Sequence, residues 1–163
     1  MTPRIVPFES RFLRDCEALI ASLPGWFGIP EANARFLRDF PAKPSWVALL
    51  GDTLVGAVTM ERHFPGSFEI SFLAVRPEHH RRGIGRALVR GVEADARAHA
   101  GRFLHVRTLG PSHPDAGYAR TRDFYEAIGF EPQFESTALG SPGNPIVVLV
   151  KPLSPEERQP GDV

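Results

Sequence analysis

The chain has one cysteine, no excess of either charge and no long apolar run, and each shortage removes a class of protein. Cys16 has no partner within the chain for a disulfide, which points to a reducing compartment rather than a secreted scaffold. Lysine plus arginine number 19, and aspartate plus glutamate 19. No global field therefore draws the protein to nucleic acid or to an anionic membrane, and any phosphate site must come from a local cluster. No stretch approaches the ~20 apolar residues of a membrane span, and the first residues lack the apolar core of a secretory leader. The expectation is a cytoplasmic protein with neither a membrane nor a nucleic-acid partner.

Several catalytic signatures are missing too. No serine sits in a G-x-S-x-G elbow, so hydrolase chemistry has no support. His63, His79 and His80 lack cysteines and H-E-x-x-H spacing, so no metal site is expected.

What is present reads as one α/β domain over residues 1–152, with the polar, proline-bearing residues 153–163 as a disordered tail. Phe12, Cys16, Leu19, Ile20 and Leu23 recur at helical spacing, predicting a helix over Ser10–Ser22 with Ser10 as its cap and Cys16 in the core. "PGWFGIP" breaks the chain. A second helix then begins at Pro30 and stops before Pro41. "SWVALL", "TLVGAVTME" and "FEISFLAV" read as three strands of a meander, the first two joined at Gly51-Asp52. Ile84, Leu88, Val92 and Ala96 mark a helix ending near Gly101, "RFLHVRTL" a strand, and "YARTRDFYEAIGF" a helix closed by Gly129. Two last strands are expected near 131–138 and 146–151, separated by "LGSPGNP". Together these imply a central mixed sheet flanked by helices on both faces.

The segment "VRPEHHRRGIGRALVRGVE" gathers Arg76, Arg81, Arg82, Arg86 and Arg90 around Gly83 and Gly85, where a strand gives way to a helix. Free amides at a helix start, the helix dipole and the close approach that glycine allows all favour an anion there. The dinucleotide fingerprint fails because Leu88 stands where it needs a third glycine, and no G-K-[ST] makes a P-loop. A tight strand-to-helix turn would also account for the glycines. Phosphate is the reading that also uses the arginines.

"VRPEHHRRGIGRAL" resembles the acyl-CoA signature of the GNAT N-acetyltransferase superfamily, a strand followed by Q/R-x-x-G-x-G/A, although His80 stands at its first position. "FYEAIGF" is similar to the family's last helix, though Tyr118 stands where many members have asparagine. "PGWFGIPEANA" and "RTLGPSHPDAGYARTRDFYEAIGF" resemble a bacterial subgroup of undefined acceptor. The resemblance spans most of residues 5–151. It implies a GNAT-like, mostly antiparallel mixed sheet and acetyl-CoA as acyl donor. The donor would lie on backbone of Leu73, Ala74 and Val75 and on Arg81, Arg82, Gly83, Ile84, Gly85 and Arg86. It further implies a small-molecule or peptide amine as acceptor, direct transfer in a ternary complex, and a homodimer as a common assembly.

Acyl transfer to an amine wants a base near the acceptor, an acid near the leaving sulfur and backbone donors on the thioester oxygen. The resemblance places Tyr125 as the acid, with a packing aromatic beside Phe124 as the alternative. It places Glu69 as the base, with burial expected to raise its carboxyl into a useful range. A solvent-facing strand residue is the alternative, and Glu61 and His63 are substitutes. The resemblance puts Trp26 and Phe27 in the loop that shapes the acceptor pocket, with packing under the sheet as the alternative. Glu61 and His113, with Asp115 beside the latter, are further acceptor candidates, while His105 reads as a structural histidine. Two other functions use the same features: an acyl-CoA-binding or sensing module without turnover, and a nucleotide-binding regulator.

Overall fold

The protein is described from a computed structural model covering residues 1–154; most of the predicted tail, 155–163, lies outside the described residues. Strand β1 (Arg4–Pro7) leads through a 3-10 turn (Ser10–Phe12) into α1 (Leu13–Ala21), then α2 (Pro30–Ala42). The meander follows as β2 (Ser45–Leu50), β3 (Thr53–Phe64) and β4 (Ser67–Val75). Then come α3 (Ile84–Ala98), β5 (Phe103–Leu109), α4 (Ala116–Ala127), β6 (Glu131–Ser141) and β7 (Asn144–Pro152).

The strands form one seven-stranded sheet in the order β1-β2-β3-β4-β5-β7-β6. Only β4 and β5 run parallel, joined by the α3 crossover. Helices cover both faces, as expected. Ile84, Leu88, Val89, Val92 and Ala96 of α3 and Tyr125 of α4 pack in one core with Val58, Met60, Phe68, Ile70 and Leu104. Cys16, Leu19 and Ile20 of α1 and Phe40 of α2 pack in the other with Val47, Ala57, Phe72 and Ala74. Cys16 is sealed in this second core, where burial, with Asp15 beside it, pushes its thiol up to about 12.

Several expectations need correction. Strand β1 was not foreseen: "RIVP" is four residues long and has no alternation of its own, so its pairing with β2 defines it. Ser10 does not cap α1, because the 3-10 turn intervenes and the helix starts from Phe12 without a side-chain cap. Pro41 lies inside the last turn of α2 instead of beyond it. So near the end its missing N–H removes a single bond, and Lys43 N–H still closes on the Asp39 carbonyl (2.8 Å). Most of "LGSPGNP" is strand, with the turn confined to Pro142-Gly143. Gly129 ends α4 as predicted: its φ of +101° lets Phe130 N–H fold back to the Tyr125 carbonyl at 3.0 Å.

Candidate active site

β4 and β5 pair only from Ser67–Phe103 to Ile70–Val106. Beyond that point the strands part, and Phe72 to Val75 keep a partner on the β3 side alone. The separation coincides with a bulge: Ile70 pairs with Met60 and Phe72 with Thr59, leaving Ser71 as the extra residue. The side chains of Leu73 and Val75 thereby join the α3 side, and Phe72 and Ala74 the α1–α2 side. The predicted stretch Leu73–Ala74–Val75 thus forms one wall of a V-shaped gap.

The gap opens toward the glycine turn. Arg81 and Gly83 both adopt positive φ, at 62° and 77°. Gly83 tolerates this freely, and the turn it makes directs the chain into α3 at Ile84. Neither a side-chain cap nor an acidic residue occupies the first turn of α3, so its N–H groups and the positive end of its dipole are available. Ile84 anchors the helix in the core, while Arg81, Arg82 and Arg86 stay exposed around it. Gly85 serves for space: a Cβ there would come within 3.1 Å of the Phe124 ring. His80 turns back onto the strand, its Nε2–H donating to the Val75 carbonyl at 2.7 Å.

Trp26 spans the gap from the other side. Its indole N–H donates to Thr121 Oγ1 on α4 (3.2 Å), and its carbonyl accepts from the Tyr118 hydroxyl (3.1 Å). Its ring meets that of His80 edge-on, with centroids 6.3 Å apart. The α1–α2 loop is thereby tied to both α4 and the glycine turn. Phe27, by contrast, packs under the sheet against Phe36 and Phe72. The two aromatics divide the alternatives between them. Tyr118 occupies the position where the resembling family often has asparagine. Burial, together with Asp115, pushes its phenol up, so it stays a donor.

Phe68 and Ile70 belong to the α3 side, so Glu69 between them faces the α1–α2 side. Register lines up Glu61, Glu69 and His105 across β3, β4 and β5. Glu69 is only 4% exposed. Its Oε2 accepts from His63 Nε2 at 2.7 Å and lies 3.4 Å from His105 Nε2, and its Oε1 accepts from Arg107 Nε at 3.1 Å. The two imidazoles stack at 5.5 Å. Burial by itself would raise the carboxyl. Hydrogen bonds from His105 and His63 and the charge of Arg107 outweigh it and hold Glu69 down at about 2. The expectation of a raised carboxyl is therefore reversed. Glu61 is bound to Lys43 at 2.9 Å, which also holds Asp39.

His63, Glu69 and His105 also form the one grouping of three metal-ligand types among the described residues, with ligand atoms within 4.8 Å of one another. Ligands on a tetrahedral ion with bonds of ~2.0–2.1 Å sit roughly 3.3 Å apart. The 2.7 Å separation of His63 and Glu69 is a hydrogen-bond distance instead.

Tyr125 is 4% exposed and packs edge-on against Phe124 and Phe130. Burial pushes its phenol far up, so it remains protonated. Among the described residues Asn33 Oδ1 is the one sealed side-chain polar atom without a partner, so the Tyr125 hydroxyl is not stranded in the core. His113 lies elsewhere, in a groove of about 760 Å³ between the β5–α4 loop and the β6–β7 hairpin, opposite Glu135.

Sequence reasoning missed Arg107 and Thr121. Period-two alternation on β5 carries a signal for the first, since it puts Arg107 on the face of His105. Thr121 carries none, because its partner lies 95 residues away.

Comparison with known proteins gives the same outline. The sequence profile described as "Acetyltransferase (GNAT) family" matches residues 13–130. No curated protein sequence matches the chain. Among solved structures, a protein assigned to the GNAT acetyltransferases from Desulfovibrio desulfuricans superposes with a TM-score of 0.82 at 21% identity, covering 94% of this chain and 100% of that one. The ribosomal-protein-S18-alanine N-acetyltransferase of Escherichia coli superposes at 0.73 and 15% identity, covering 99% of each. A GNAT family acetyltransferase from Elizabethkingia anophelis, solved with acetyl-CoA bound, superposes at 0.71 and 17% identity, covering 93% and 99%. A parallel strand pair that parts at a bulge, an uncapped glycine turn at its mouth and a profile match over most of the chain lead to one assignment: this protein belongs to the GNAT family of acetyltransferases.

Proposed function

We propose that the protein is an N-acetyltransferase that moves an acetyl group from acetyl-CoA to a primary amine by direct transfer in a ternary complex. The observation that carries this reading is the gap between β4 and β5, which opens onto the uncapped N–H groups of α3. The pyrophosphate fits the amides of Gly83, Ile84 and Gly85, with Arg81, Arg82 and Arg86 adding charge-assisted contacts. The pantetheine arm fits the free edge of Leu73–Val75 as an added strand. The thioester supplies an activated acetyl group. The bulge at Ser71 frees backbone donors for its oxygen, and holding both substrates in one gap supplies rate through orientation.

Glu69 acts as a member of its cluster rather than as a base alone. A carboxylate held at about 2 keeps no proton at neutral pH, so a proton taken from the amine rests on His63 or His105. Tyr125, kept protonated by burial, passes its proton to the departing sulfur as it takes up the second proton lost by the acylated nitrogen, so no phenolate is left in the core. We place the reaction in the cytoplasm, in keeping with the buried thiol of Cys16.

A second reading, an acyl-CoA-binding module without turnover, draws on the donors already crowding Glu69 and on the burial of Tyr125. Release of CoA thiol in the presence of a mixed amine pool separates the two. Acetylated amines appearing in step with free thiol support the transferase. Tight acetyl-CoA binding without thiol release leaves the module.

A further inference from the structure

The charges facing the acceptor side are unevenly satisfied. The acidic groups on the Glu69 side are already engaged. Glu69 is held by Arg107 and His63, and Glu61 and Asp39 share Lys43. Asp115 caps α4 through Tyr118 N–H.

Arg107 is in the opposite condition. It sits on β5 one residue past the last β4–β5 pair, at the vertex of the gap. Its Nε is committed to Glu69, which fixes the plane of the guanidinium. Among the described residues its two terminal nitrogens have no protein partner, and its side chain is 47% exposed. A guanidinium held by one edge with its fork open suits a planar oxyanion, which it binds in bidentate fashion.

Resting on the transferase reading above, we infer that Arg107 selects the acceptor, an amine carrying a carboxylate close to its nitrogen, of the amino-acid class. With the carboxylate on Arg107 at the vertex, the neighbouring amine falls beside Glu69 and its histidines, where the proton must go. Polycations such as aminoglycosides and polyamines fall outside this class.

The test uses the full chain with acetyl-CoA and follows CoA thiol release. The probes are the common amino acids, each beside its carboxamide, together with spermidine and kanamycin. The carboxamides have the more readily deprotonated amines, so chemistry alone favours them. The expected result is a kcat/KM at least about tenfold higher for carboxylates than for their amides. That ratio should fall about tenfold in Arg107→Gln and partly recover in Arg107→Lys. An unchanged ratio in Arg107→Gln overturns the inference, as does preference for kanamycin or spermidine. If acetyl-CoA binds but no carboxylate-bearing amine reacts, the inference fails while the donor site stands. If acetyl-CoA does not bind, both readings fail.

Discussion

Glu69 and Arg107 bind each other, Oε1 to Nε at 3.1 Å, across the point where β4 and β5 part. The pair fixes the vertex of the gap, and the histidines on the other carboxylate oxygen complete a cluster that neither strand holds alone.

This pairing makes stability depend on pH in one direction. The Glu69 carboxyl lies at about 2 in the folded chain against an ordinary 4.5. Its contribution is complete above the ordinary value and is lost as pH falls toward 2, on the order of 3 kcal/mol. Glu69→Gln should therefore unfold at lower urea than the parent at pH 7, and the difference should shrink as pH approaches 2. Equal midpoints at pH 7 would show that the cluster contributes nothing.

Tyr125 tests the acid role. Tyr125→Phe keeps the ring contacts with Phe124 and Phe130, so stability should change by less than about 1 kcal/mol. The turnover rate should fall roughly 10–100-fold if its hydroxyl protonates the leaving thiolate. An unchanged rate leaves Tyr125 as packing alone.

Trp26 reports on the gap. The chain has two tryptophans, so Trp46→Phe isolates its emission. Its indole bridges Thr121 and the His80 ring over the donor site. Acetyl-CoA should then change Trp26 fluorescence in proportion to binding, and Thr121→Val should weaken the tie by about 1 kcal/mol. A silent signal at saturating acetyl-CoA contradicts this placement.

Gly83 adopts φ +77° with open space around it, so a side chain there meets strain rather than a clash. Gly83→Val should cost about 1–3 kcal/mol of stability and weaken acetyl-CoA by tenfold or more. Gly143→Ala, also in open space but in the β6–β7 turn, should leave affinity within twofold.

Local patterns carried much of this molecule. The glycine turn, the Gly129 helix end and the three-strand meander follow from short-range spacing, and each is found where it was expected. β1 escaped because an edge strand of four residues is defined by its neighbour β2. The site was legible in pieces. His63, Glu69 and His105 each stood out, but their convergence depends on register across three strands. The sign of the Glu69 shift depends on Arg107, which only that register brings near. Burial of Tyr125 rather than Phe124 was a choice between adjacent helix positions that sequence leaves open.

The most direct measurement is calorimetric titration of the purified protein with acetyl-CoA, beside ATP and inorganic pyrophosphate. The gap and the α3 amides predict micromolar, one-to-one binding of acetyl-CoA, at least about tenfold tighter than ATP, and weakened tenfold or more in Gly83→Val. Equal affinity for ATP, or no binding of acetyl-CoA, would contradict the account.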